Sequence, residues 1–78
     1  MNNPKKNIAE NLRYLRNKSC LSQEEVAERV GVTRQAVAKW ERGDSLPDII
    51  NCEELAGLFE VSLNDLVRHD SEEEGVPI

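Results

Sequence analysis

This chain has few of the residues on which most catalytic and metal sites depend. Its 78 residues include one histidine and two cysteines. Neither Cys20 nor Cys52 has another cysteine or the histidine at metal-ligand spacing, so the sequence predicts no metal site and two reduced thiols. It also contains no nucleophile–base pair and no phosphate-binding loop. We therefore expect no catalytic residue, no cofactor and no enzymatic activity.

Long apolar runs are scarce as well. The sequence has no stretch of twenty apolar residues, so it predicts no membrane-spanning helix. The first residues, MNNPKKNIAENL, lack the apolar region of a secretory signal. We therefore expect a cytoplasmic protein without a membrane partner, and the length allows one small domain.

Charge is distributed unevenly along the chain. The net charge is −5, but residues 1–69 carry ten basic and eleven acidic side chains. Residues 70–78, DSEEEGVPI, carry four acidic side chains and no basic one. We therefore predict a folded domain over residues 1–69 and a disordered acidic tail over residues 70–78. Such a tail either keeps the protein soluble or competes for a basic surface of the domain.

The run from Gln23 to Arg42, QEEVAERVGVTRQAVAKWER, is typical of two short helices joined by a tight turn. Each helix has a signal at both ends. The signals are a capping box of Ser22 and Glu25, a glycine at Gly31, an N-cap at Thr33 and a second glycine at Gly43. The sequence therefore predicts a helix-turn-helix unit.

The two faces of the second helix differ in chemistry. The predicted structural core of the unit consists of Ala27, Gly31, Val37 and Trp40. The outward stripe of the second helix is Arg34, Gln35, Ala38, Lys39 and Arg42. Arginine and lysine donate to guanine, glutamine pairs with adenine, and a methyl group contacts thymine. The stripe is therefore suited to the major groove of DNA. The first carboxylate near it is Glu41, which we place toward its flank.

Apolar spacing predicts three more helices and no strand, which makes the fold all-α. The first spans residues 5–18, with Ile8, Leu12 and Leu15 inward and Arg13, Arg16 and Lys18 outward. The fourth follows a cap at Asp48, with Ile49, Cys52, Leu55, Ala56 and Phe59 on its core face. The short fifth follows a cap at Ser62 and carries Leu63, Leu66 and Val67.

The segments LSQEEVAERVGVTRQAVAKWERG, LPD and LAGLFEVSLNDLV together resemble a known family. The chain is similar to the Cro and phage-repressor type of helix-turn-helix, the XRE-like transcriptional regulators. The resemblance covers roughly residues 6 to 68. It implies a compact five-helix, lambda-repressor-like DNA-binding domain with the helix-turn-helix at helices 2 and 3.

The resemblance also implies a role for individual residues. Backbone contacts are expected from Gln23, Thr33, Arg42 and Arg13, with Gln23 also bracing the recognition helix. Base contacts are expected from Arg34, Gln35 and Lys39, to which the outward stripe adds Ala38. Backbone N–H groups of the loop GDSLP are also expected near a phosphate, where the charge of Asp44 is unfavourable.

Four residues depart from the family pattern. Cys20 and Glu60 stand where glycine is frequent, and Glu53 stands where an apolar residue is common. Ile50 is apolar on a helix flank that the pattern leaves polar. We interpret Ile50 as an exposed contact for a partner subunit.

The sequence favours a sequence-specific DNA-binding transcriptional regulator that represses by occluding its operator. We expect double-stranded DNA as the partner and a homodimer as the binding species. The alternative is a protein-interaction module on the same fold, such as an antitoxin or anti-repressor that holds a protein partner. The outward stripe discriminates between the two, because an interaction module does not need four long donors there.

Overall fold

The computed structural model describes residues 4–68, and side chains over residues 7–67. This part of the chain forms five helices and no strand. They are α1 (Pro4–Lys18), α2 (Gln23–Val30), α3 (Arg34–Arg42), α4 (Ile49–Phe59) and α5 (Leu63–Arg68). The five-helix, all-α prediction is confirmed. His69 and the tail predicted over residues 70–78 lie outside the described residues, so the domain boundary stays a prediction.

The helices enclose one apolar core. Helix α3 packs on α1 and α2, while α5 packs on α1 and α4, and α4 also contacts α2. The buried core residues are Ile8, Leu12, Val26, Ala27, Val30, Val37, Trp40, Cys52, Leu55, Ala56 and Leu66. All five helices supply them, so the position of α3 depends on the whole domain.

Side-chain caps set the helix starts outside the central unit. The Asp48 carboxylate accepts from the Asn51 N–H at 2.8 Å and begins α4. The Ser62 hydroxyl accepts from the Asp65 N–H at 2.9 Å and begins α5. Both caps match the sequence predictions, because each depends on residues three positions apart.

Three apolar side chains near the start of α4 are exposed. Ile49 is 59% exposed, Ile50 is 61% exposed and Leu46 is 44% exposed. The prediction that Ile49 lies on the core face is wrong, because this first residue of α4 is mostly exposed. The prediction that Ile50 is exposed is confirmed. We call Leu46, Ile49 and Ile50 the apolar patch.

Two residues that replace a frequent glycine have left-handed backbone. Cys20 has φ 60° in the turn after α1, and Glu60 has φ 59° at the C-cap of α4. Left-handed backbone is unfavourable for residues with a Cβ. The chain therefore carries strain at two helix ends.

Candidate nucleic-acid interface

Caps at the start of α2 and at both ends of the turn between α2 and α3 position the two helices. The Ser22 hydroxyl accepts from the Glu25 N–H at 3.0 Å, and the Ser22 N–H donates to the Glu25 carboxylate at 2.8 Å. Gly31 ends α2 with φ 79°, and the Thr33 hydroxyl accepts from the Ala36 N–H at 3.1 Å. The short turn fixes α3 across α2 and exposes its outer face.

The outer face of α3 carries four long donors. Arg34, Gln35, Lys39 and Arg42 are exposed, and Ala38 is half-buried among them. The opposite face is closed, since Val37 and Trp40 are buried in the core. Helix α3 therefore presents one continuous polar stripe to solvent.

An open concavity lies beside this stripe. Its lining residues are Arg13, Gln23, Arg34, Ala38, Glu41, Arg42 and Asp44. They come from α1, α2, α3 and the turn after α3. The concavity joins the predicted base-reading helix to three of the predicted backbone contacts, Arg13, Gln23 and Arg42.

Gln23 connects α2 to both ends of α3. Its Nε2 donates to the Glu41 carboxylate at 3.1 Å, and its Oε1 accepts from Arg34 Nη1 at 3.4 Å. The first contact fixes the amide, while the second is long and therefore weaker. Gln23 thus links the start of α2 to both ends of α3.

Glu41 is the centre of a buried polar network. Only 4% of Glu41 is exposed. The Arg16 guanidinium binds its carboxylate in a bidentate pair, with Nε at 2.6 Å and Nη2 at 3.0 Å. The hydrogen bond to Glu41 raises the pKa of Arg16, burial lowers that pKa, and Coulombic attraction to Glu41 also raises it. The pair ties α1 to α3, and Glu41 Oε1 accepts from Gln23 as well as from Arg16.

The same network includes Arg13. A guanidinium N–H of Arg13 donates to the backbone carbonyl of Glu41 near the end of α3. The Arg13 side chain remains exposed and lines the concavity. Arg13 is therefore held at the surface by α3 itself.

Sequence reasoning missed the role of two charged residues. The prediction that Arg16 faces outward is wrong, because Arg16 pairs with buried Glu41. The placement of Glu41 on the flank of the stripe is also wrong. Helical spacing contained the signal: Glu41 lies four residues after inward Val37, and Arg16 lies four residues after inward Leu12. Opposite charges at inward positions predict a buried pair.

Three predicted site residues lie outside the concavity. Thr33, Gln35 and Lys39 are exposed on the turn and on α3, but do not line it. Thr33 also serves as the N-cap, so its hydroxyl accepts a hydrogen bond within the protein. These residues extend the surface along α3 instead of deepening the concavity.

Exposed carboxylates gather on α2 and α4 and not on the stripe. They are Glu24, Glu25, Glu28, Glu53 and Glu54. The last two line a second concavity with Arg29, Gly57 and Leu58. The two concavities share no residue. The donor stripe of α3 and the exposed carboxylates of α2 and α4 therefore lie on different helices, although Asp44 lies beside the stripe and Arg29 lies beside Glu53 and Glu54.

Other chemistry is sparse over residues 4–68. This range contains no group of three histidine, cysteine or acidic residues placed to hold a metal ion. Burial raises the pKa of the Cys52 thiol, with a further contribution from Asp48, so Cys52 packs as a neutral side chain. None of the helices in this range is long and apolar enough to cross a membrane.

The caps, the crossing of α2 and α3 and the exposed donor stripe define a lambda-repressor-like helix-turn-helix domain. A family model described as Helix-turn-helix (HTH_3) matches residues 12–66. The chain belongs to this family, whose members include DNA-binding transcriptional regulators.

Two relatives and one solved structure illustrate the similarity. The HTH-type transcriptional activator BcrR of Enterococcus faecalis is 34% identical over 58 residues, covering 74% of this chain and 28% of BcrR. The HTH-type transcriptional regulator YqaE of Bacillus subtilis is 32% identical over 66 residues, covering 85% of this chain and 57% of YqaE. The matched part of this chain thus spans less than two thirds of the length of each of these two relatives.

The solved structure is a P22 c2 repressor protein in complex with a synthetic operator. Its TM-score is 0.77 at 28% identity, and the match covers 81% of this chain and 96% of the repressor chain. The similarity extends over all but a few residues of that repressor chain.

Proposed function

We propose that this chain binds a specific DNA operator through α3 and represses transcription by occluding that site. The observation that carries the proposal is the exposed stripe of four donors on α3, with Gln23 braced beside it. Family membership and the repressor–operator neighbour support the same function. A DNA-binding regulator acts at the chromosome, so we propose a cytoplasmic location in a bacterial host.

The proposed contacts fall into two groups. Base contacts come from Arg34, Gln35, Lys39 and Ala38, and backbone contacts come from Gln23, Thr33, Arg42 and Arg13. Phosphate contacts fix the register on the duplex, and base contacts supply the sequence preference. Arg34 is the strongest candidate for a guanine contact, because it lies at the exposed start of α3 and arginine is the commonest partner of guanine.

A two-fold dimer is the proposed binding species. A single module of this size buries about 600–1,000 Å² on DNA, which limits its affinity. Two copies on half-sites about 34–36 Å apart would double the contacts. The apolar patch around Ile50 and half-buried Val67 are the proposed dimer surfaces.

Repression is the proposed sign of regulation because it needs only occupancy of the site. Activation also occurs among the relatives, since BcrR is named an activator. A protein-interaction module is the less favoured function. Co-purification of a tight protein partner would test that function. It is less favoured because four exposed donors on one helix face are suited to DNA.

Selection of bound duplexes from a random pool tests the proposal directly. We expect enrichment of a two-fold symmetric sequence, with binding that weakens steeply as salt rises. A symmetric site would support the dimer, and a single half-site would support a monomer. Failure to enrich any sequence at low salt would contradict DNA recognition.

A further inference from the structure

Asp44 places a negative charge inside the proposed DNA surface. Its Oδ2 lies 2.8 Å from Arg42 Nε, and the two side chains are 55% and 58% exposed. Both residues line the concavity beside α3. The other carboxylate of that lining, Glu41, is buried and paired with Arg16. Asp44 is therefore the exposed carboxylate of this surface.

The backbone holds Asp44 beside Arg42. Gly43 has φ 79°, and its N–H donates to the Trp40 carbonyl at 3.1 Å. The Asp44 N–H then donates to the Lys39 carbonyl at 2.9 Å. This C-cap turns the chain back over the last turn of α3. The carboxylate is thus fixed within reach of the Arg42 guanidinium.

The fold has little need of this carboxylate. A negative charge at the C-terminus of a helix is unfavourable, because the helix dipole is negative there. An exposed ion pair between flexible side chains adds little stability. The main physical consequence of Asp44 is therefore its ion pair with Arg42.

We propose that Asp44 competes with DNA phosphate for Arg42 and so lowers the affinity for every sequence. The proposal rests on the proposed function, in which Arg42 binds a phosphate. Arg42 must leave Asp44 before it can bind a phosphate, and the loss of this ion pair lowers the affinity. Phosphate contacts carry no sequence information, so Asp44 weakens non-specific binding and leaves discrimination to the base contacts of α3.

The Asp44→Asn variant tests this competition. We expect binding to tighten about twofold to fivefold, the range of an exposed ion pair, on the selected operator and on a random duplex alike. The slope of log affinity against log salt should steepen by up to about one, because Arg42 then acts as a full phosphate contact. The matched control is Glu54→Gln on α4, which removes one exposed carboxylate outside this concavity.

A double-mutant cycle identifies the route of the effect. In an Arg42→Ala background, we expect Asp44→Asn to gain no more affinity than the Glu54→Gln control. An undiminished gain there would overturn the proposal, since Asp44 would then act on phosphate directly. Operator binding by the wild-type chain with no gain from Asp44→Asn would overturn this proposal alone. Absence of duplex binding by the wild-type chain would overturn the proposed function as well.

Discussion

At the scale of single residues, Glu60 combines a helix-ending role with an unfavourable backbone. It is the C-cap of α4 with φ 59° and ψ 43°, and its N–H donates to the Ala56 and Gly57 carbonyls. Left-handed backbone costs a residue with a Cβ about 1–2 kcal/mol. Glu60 therefore ends α4 with the usual C-cap backbone, but this backbone is unfavourable for a residue with a side chain.

The Glu60→Gly variant should be more stable than the wild-type chain. We expect a gain of about 0.5–1 kcal/mol in the free energy of unfolding, because glycine removes the Cβ strain but adds entropy to the unfolded state. Urea denaturation measures the gain. The control is Glu60→Ala, which removes the charge and keeps the Cβ. An equal gain from alanine would attribute the effect to charge.

Arg34 provides the residue-scale test of base reading. We expect Arg34→Ala to reduce discrimination by about 1–3 kcal/mol at one operator position, because a lost guanine contact affects only that base pair. Binding to operators substituted one position at a time gives the measurement. Arg29→Ala, an exposed arginine beside the second concavity, should leave every position unchanged. Equal weakening on all sequences would make Arg34 a phosphate contact.

At the scale of helices, Glu41 links α1, α2 and α3 through one carboxylate. Arg16 and Gln23 bind its side chain, and Arg13 binds its backbone carbonyl. Every side-chain polar atom buried within the described range has a hydrogen-bond partner. The network therefore sets the orientation of α3 and the position of Gln23 together.

Removal of the Glu41 charge should destabilise the domain. We expect Glu41→Gln to cost about 2 kcal/mol in the free energy of unfolding, because breaking a buried pair leaves Arg16 uncompensated. The estimate lies below the full cost of a buried pair, since 16% of the Arg16 side chain is exposed. The control, Asp44→Asn in the exposed pair, should change stability by less than about 0.5 kcal/mol. Equal losses would contradict a structural role for the buried pair.

The helix ends were predictable from the sequence because their interactions are local. Ser22 with Glu25 and Ser62 with Asp65 each join residues three positions apart. The Arg16–Glu41 pair joins residues 25 positions apart and depends on how α1 crosses α3. The exposed stripe was predictable for the same reason as the caps. The hydrogen bond between Gln23 and Glu41 was not, because it depends on how α2 packs against α3.

Ile49 shows the limit of periodicity. Its spacing from Cys52 correctly gives the direction of a helical side chain. It does not reveal whether another helix extends far enough to cover that position. Cys52 lies in the core, whereas Ile49 at the start of the same turn is mostly exposed. The error therefore lies in the extent of packing and not in the helix assignment.

At the scale of the whole molecule, the apolar patch provides a test of assembly. We expect Ile50→Lys to weaken self-association and to raise the protein concentration needed for operator binding, because a charge would replace an apolar contact. The fold should persist, since Ile50 is 61% exposed. Sedimentation equilibrium measures the first effect and operator titration the second.

A matched surface change completes the test. Tyr14 on α1 is 40% exposed and lies outside the apolar patch. Tyr14→Lys should leave self-association unchanged. A wild-type chain that stays monomeric at concentrations sufficient for operator binding would contradict the dimer.

The unequal distribution of charge between α3 and the helices α2 and α4 has a consequence for how the domain approaches a duplex. As the molecule tumbles near DNA, phosphates attract the side that carries α3 and repel the carboxylates of α2 and α4. This bias applies a torque before any atom touches, and it acts even though residues 1–69 are nearly neutral. Productive collisions are thereby enriched over random ones. Salt should slow association, because it screens the electrostatic forces that orient the domain as well as those that hold it on the duplex.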